Sequence, residues 1–317
     1  MPIARLAFGT SLALLLASTM MTAGQAASDP TPARVQALVE RVNARLAAGG
    51  MDLRLTEAWF FTVGRGVDPF RQLRTGSRWP FDNLFYMIDG SDLTGDVPVG
   101  ADVALAIRNG YDSWNAVGNT TVHAIEIADI GLNVDILDGI VLDGDGECVD
   151  IIDTTAANLV SYDPVTGAVT FIPVADVLVG GWLPPAYFAD CLGNPSILAV
   201  TFSFSFGDSN ADNYPDLLYV EQYYNDGFDW TIEGSQYLDF DGPSDIETVA
   251  VHENGHAFGL GHFGGPNEQQ PFKLQPNLRV FDPEAVMNPF NLGGEKRELF
   301  PTDVSALRAL YARRGTQ

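Results

Sequence analysis

The chain has 317 residues, 46% of them hydrophobic and 18% charged, with a formal net charge of −24. That length and apolar content fit a folded globular protein of one large domain or two small ones, and exclude a disordered or fibrous chain. So acidic a body repels phosphate backbones and anionic lipid, which sets nucleic acid and membrane surfaces aside as partners.

Residues 1–26 read as a secretory signal peptide. Arg5 is the only charge before Asp29, residues 6–16 are apolar but too short to span a bilayer, and small residues follow at 23–27. The expected mature protein is soluble, monomeric and secreted, into the medium or a periplasm. Its basic residues fall from 17 to 16 against 41 acids. The two cysteines, Cys148 and Cys191, read as a disulfide in an oxidising compartment, because neither sits in a Cys-x-x-Cys pair or beside a histidine.

Residues 31–48 predict an amphipathic helix. Thr31 suits the N-cap and Pro32 the first helical position, Val35, Leu38, Val39, Val42 and Leu46 share a face, and Gly49-Gly50 stops it. This segment, taken as residues 27–55, is either a short propeptide or the first helix of the domain. Residues 56–98 are aromatic with Gly and Pro between, and 84–88 predict a buried strand. A helix is predicted at about 101–117, with Val103, Ile107, Tyr111 and Trp114 at helical spacing, and a strand at 121–130. Residues 131–195, rich in Asp and Gly, read as loops and short strands inserted over the core. Strands follow at 197–206 and 217–224, then a motif helix from about 245, and a final helix at about 302–313 capped by Thr302. Strands come first and helices late, so the expected fold class is α+β, with residues 56–317 as one catalytic domain.

The chemistry concentrates in His252-Glu253-Asn254-Gly255-His256-Ala257-Phe258-Gly259-Leu260-Gly261-His262. Ser244-x-x-Glu247 has the form of a capping box ahead of it. His252 and His256 are four residues apart, so both imidazoles point the same way from one helix face and can reach one Zn²⁺ at about 2.0–2.1 Å. Glu253 is rotated around the helix, where it can serve as general base to a water in the open coordination position. Gly259 supplies the left-handed residue that ends the helix, so that His262 can return as third ligand. The chain has four histidines, and three stand in these eleven residues.

This stretch resembles the zinc-binding helix of the metzincin peptidases, closest to the matrixin branch. The resemblance implies a twisted mixed sheet, an active-site helix, a methionine turn beneath the metal, and a C-terminal helix. Ala285-Val286-Met287-Asn288-Pro289 is similar to that turn, and residues 299–311 resemble the C-terminal helix. The helix ending at Trp114 resembles the family's first helix, and Ile197-Leu198-Ala199-Val200 its edge strand, along which peptide is laid. The chain departs from the pattern at Phe263, where a small hydroxyl residue is usual, and has no tyrosine after the methionine. No cysteine precedes Cys148, so a cysteine-switch propeptide is absent. Only His123 remains for a second zinc, and it reads as a strand residue. The implied function is a secreted zinc endopeptidase acting on polypeptide. A non-catalytic binding module with the same shell, or a zinc hydrolase of another bond, stands as the alternative.

Asp208, Asn210, Asp212 and Asp216 have the alternating oxygen spacing of a calcium loop, with Asn213 in place of the usual glycine. They read either as a structural Ca²⁺ site or as a solvated acidic turn. Residues 143–147 are a weaker version of the same pattern.

Overall fold

The computed structural model describes residues 31–63, 77–89, 102–127, 140–142, 148–150, 174–208, 211–233, 242–262, 285–291 and 295–312. The expected export signal, Asn210, Phe263 and the acidic loop at 143–147 lie outside the described residues. The architecture is α+β, built on a seven-stranded mixed sheet.

Helix α1 (Thr31–Ala48) has the predicted limits, and Val35, Leu38, Val42 and Leu46 are buried along one face. It is followed by β1 (Arg54–Val63), a strand not predicted from the sequence. The boundary expected between residues 55 and 56 therefore falls inside a strand. Asn43 of α1 ties the two together: its side-chain amide donates to the Leu55 carbonyl at 2.9 Å, and its oxygen accepts from the Leu55 amide at 2.8 Å.

Next come β2 (Asn83–Asp89), α2 (Val103–Asn115) and β3 (His123–Glu126), close to prediction. Two short strands, β4 (Ile140–Leu142) and β5 (Cys148–Asp150), form their own hairpin ladder. The reading of residues 131–195 as a loop-rich cover needs correction at its end. Strand β6 (Val174–Leu183) lies inside the main sheet, parallel to β2 on one side and to β8 on the other. A π-helical turn (Tyr187–Cys191) follows, and β5 packs beside it. Cys191 is buried and is not a free thiol.

Strands β7 (Ile197–Ser205) and β8 (Leu217–Asn225) pair antiparallel, and every residue of both is buried. Both faces of these strands are covered, which is why their sequences run apolar without clean alternation. The short β9 (Trp230–Thr231) and β10 (Ser244–Asp245) lead into α3 (Ile246–Ala257), and β11 (Phe290–Asn291) precedes α4 (Pro301–Tyr311).

The sheet order is β11-β1-β7-β8-β6-β2-β3. β7 is therefore not an edge strand, contrary to expectation. β1 runs antiparallel along it, from Arg54 opposite Ser205 to Thr62 opposite Ile197, and β11 adds parallel to β1. One face of the sheet packs on α2 and α3 around Tyr111, Trp114, Val220 and Phe258. The other packs on α1 around Phe60, Phe202, Phe204 and Tyr219. Helices α2 and α3 cross at Gly110, where a Cβ would stand 3.1 Å from the Ala250 backbone and 2.6 Å from the Asn254 side-chain amide, so a larger residue would push the helices or Asn254 aside.

Candidate metal centre

Helix α3 begins with a cap different from the one expected. Asp245, not Ser244, is the N-cap: its carboxylate accepts from the Thr248 amide at 2.9 Å and from the Thr248 hydroxyl at 2.7 Å. Arg297 grips the same carboxylate through two nitrogens, at 2.9 and 2.7 Å, which ties residues 295–297 to the start of the helix. Glu247 accepts instead from Asn109 of α2 at 3.1 Å.

The helix ends as the sequence requires. Gly259 has φ +81°, the Gly259 amide donates to the His256 carbonyl at 2.8 Å, and the Leu260 amide donates to the Gly255 carbonyl at 3.0 Å. These two bonds form a Schellman motif. The chain then turns back and carries His262 toward the helix it has just left. Three further bonds hold α3 in place. The Trp114 indole donates to the Val251 carbonyl at 2.8 Å, the Trp79 indole to the Ala257 carbonyl at 2.6 Å, and the Tyr311 hydroxyl to the Phe258 carbonyl at 2.8 Å.

The three histidines converge. Nε2 of His252 lies 3.1 Å from Nε2 of His256 and 3.2 Å from that of His262, and the third side is 3.0 Å. Nδ1 of His252 faces the Val286 carbonyl at 2.7 Å, and Nδ1 of His256 faces the Leu260 carbonyl at 2.7 Å. A carbonyl only accepts, so both rings carry their hydrogen on Nδ1 and direct a bare lone pair from Nε2. Burial, reinforced by the neighbouring histidines, holds both imidazoles well below their ordinary pKa and therefore neutral. Lone pairs this close repel unless something positive lies between them. Nitrogens about 3.1 Å apart suit a tetrahedral ion, whose ligand atoms at about 2.05 Å are separated by about 3.3 Å. The triad could hold a metal ion, and it is the one such group among the described residues.

Beneath the helix, Met287 is wholly buried, and its sulfur would stand 2.2 Å from a Cβ placed at Gly255. The turn at Met287 thus floors α3, and through the Val286 carbonyl it also orients His252. The turn is set by Asp303, a residue the sequence analysis missed. The buried Asp303 carboxylate accepts from the amides of Val286 at 2.9 Å, Met287 at 3.2 Å and Phe300 at 2.9 Å. It also performs at the start of α4 the capping role expected of Thr302, which lies within the helix.

Glu253 is fully buried beside the triad in sequence. The Thr201 hydroxyl of β7 donates to its Oε2, while Oε1 has no partner among the described residues. Burial pushes this carboxyl up to about 8, against the opposing effect of the Thr201 bond. Nearby on β8, the Gln222 amide and the Tyr224 hydroxyl are also buried and have no partner among the described residues; burial, and after it the Glu253 charge, raises the Tyr224 pKa.

Two aromatic rings of β1 cover the triad. Trp59 stacks on His256 at 5.0 Å with 4° between planes and meets His262 edge-on at 5.2 Å, and Phe61 stacks on His252 at 4.0 Å. Both signals lay in the apolar run Ala58-Trp59-Phe60-Phe61.

His123 lies exposed on β3, outside the triad. The acidic turn at residues 208–216 carries its own hydrogen bonds, and its candidate ligand Asn210 lies outside the described residues. Asp208 accepts from the amides of Asp212 and Asn213, at 3.0 and 2.8 Å, and Asp212 pairs with Arg78 at 2.8 Å. Asn213, standing where a calcium loop has glycine, takes a left-handed conformation, with φ 75°.

No protein-family model matches this chain, and no curated protein matches it. No helix among the described residues is long and apolar enough to cross a membrane.

Proposed function

We propose that the protein is a secreted zinc-dependent endopeptidase of metzincin-like build, with His252, His256 and His262 as metal ligands and Glu253 as general base. The observation that carries this reading is the convergence of three Nε2 lone pairs within 3.2 Å, two of them fixed by Nδ1–H bonds to carbonyls. Three neutral histidines leave one coordination position for water, which separates a catalytic site from a closed structural one. The mixed sheet, the histidine-bearing helix, the methionine turn under it and the C-terminal helix all support the metzincin resemblance.

Zinc held by the triad would supply a Lewis acid and a bound water acidified toward neutrality. The chain's own residues do the rest. Glu253 takes the water proton at Oε1, the carboxylate oxygen without a partner, and returns it to the departing amine. Thr201 holds the other oxygen and so fixes the carboxylate rotamer. Asp303 and Met287 keep His252 aligned from below.

Glu253→Gln should keep one zinc per chain and lose casein hydrolysis by at least about a hundredfold. His256→Ala should lose the metal as well. Full hydrolysis by Glu253→Gln would remove the assigned base, and full zinc occupancy in His256→Ala would remove the ligand set.

A further inference from the structure

We propose that β1 is a built-in occupant of the peptide channel: residues 54–63 fill the position along β7 that an extended substrate needs, and hydrolysis is held to a low basal rate until the α1–β1 unit is displaced. This rests on the peptidase reading above and concerns the regulation of the same site.

Several independent features point the same way. His252, Glu253 and His256 are 0% exposed, and of the triad only His262 keeps partial exposure. What stands over them is β1, through the rings of Trp59 and Phe61. The pairing of β1 with β7 shifts register between Leu55 and Glu57 and again between Phe61 and Thr62. Between the shifts, Glu57 to Phe61 pair without interruption, and the middle residue Trp59 lies opposite Thr201, whose hydroxyl holds Glu253. The longest uninterrupted stretch of β1–β7 pairing is therefore centred on the residue that holds the assigned base. β1 also lies antiparallel to β7, so it takes the main-chain hydrogen bonds by which an added peptide strand would be held.

The unit is also separable. It comes first among the described elements. With α1 and β1 gone, β7, β8, β6, β2 and β3 remain a continuous five-stranded sheet. That sheet still carries α2 and α3 on one face. The two Asn43–Leu55 bonds tie α1 to β1, so the pair can leave together. Beside the β1–β7 ladder, its side-chain attachment to the rest is a shared apolar cluster that includes Leu38, Val42, Phe60, Phe202 and Phe204.

The test uses the full chain loaded with zinc, fluorescent casein as probe, and amide hydrogen exchange at β7. Glu57 and Ser203 are paired partners, so Glu57→Cys with Ser203→Cys offers a reversible lock of β1 onto β7. The oxidised lock should show no hydrolysis, and reductant should restore the rate of parent protein treated with the same reductant. Trp59→Asp with Phe61→Asp should open the site, raising hydrolysis at least tenfold and speeding exchange at β7. An oxidised lock that cleaves casein as fast as the parent overturns the proposal, and it does so even if the opened variant fails to fold. An opened variant that binds zinc and exchanges rapidly at β7 without cleaving casein would instead sink the peptidase reading and leave the displaceable cover standing.

Discussion

Replacing Asp303 tests whether the metal floor is organised from α4. Its carboxylate accepts three amides, and the two from Val286 and Met287 come from residues at most 2% exposed. Asp303→Ala leaves those two donors buried and unbonded, at about 1–3 kcal/mol each, while the partly buried Phe300 amide can turn to water. A loss of about 4 kcal/mol follows, equivalent to a fall in Tm of about 8–16 °C at roughly 2–4 °C per kcal/mol. Asp303→Asn keeps the shape but turns an –NH₂ toward an amide hydrogen, so about half that loss is expected. Because the Val286 carbonyl orients the His252 ring, zinc affinity should fall about tenfold or more in competition with a chromophoric chelator. An Asp303→Ala protein that melts within about 2 °C of the parent and competes equally for zinc would refute the chain of support from α4 through the methionine turn to His252.

Glu57→Gln should reveal a buried carboxyl in β1. Burial pushes Glu57 up from 4.5 to about 7, so the folded chain holds that proton more tightly than the unfolded chain does. Its stabilising contribution is complete below pH 4.5, is lost as pH rises to about 7, and is level above that. The glutamine variant should therefore match the parent at pH 4 and exceed it by up to about 3 kcal/mol at pH 8, read from urea midpoints; equal midpoints at both pH values would contradict the assignment. Gly259→Ala places a Cβ 1.9 Å from the Ser77 carbonyl oxygen at φ +81°. It should destabilise by more than about 2 kcal/mol, and an unchanged melt would mean that the turn after α3 has been misread.

The histidine triad was legible because it is local. His252 and His256 are related by one helical turn, and His262 by a glycine-terminated turn whose hydrogen bonds span five residues. The amphipathic α1 and the apolar β7 and β8 were legible for the same reason. What the sequence hid depends on distant partners. Thr201 meets Glu253 only through the register of the sheet, and Asp303 meets Val286 across 17 residues. β1 was missed because Trp59, Phe60 and Phe61 are buried on opposite faces, which erases the alternation that marks a half-buried strand. β6 was missed because its pairing with β2 and β8 is parallel and non-local, inside a stretch whose composition reads as loop.

Among the described residues the sheet ends in two short strands, the four residues of β3 and the two of β11. Removing β1 would change that. Ile197–Ser205 would become a nine-residue rim with no charge and strong β propensity, open along its whole length. A liberated form would therefore tend to stack with its own kind unless a substrate filled the gap. Such a molecule would have a working life set by concentration, spent quickly where it is made in quantity and longer where it is dilute.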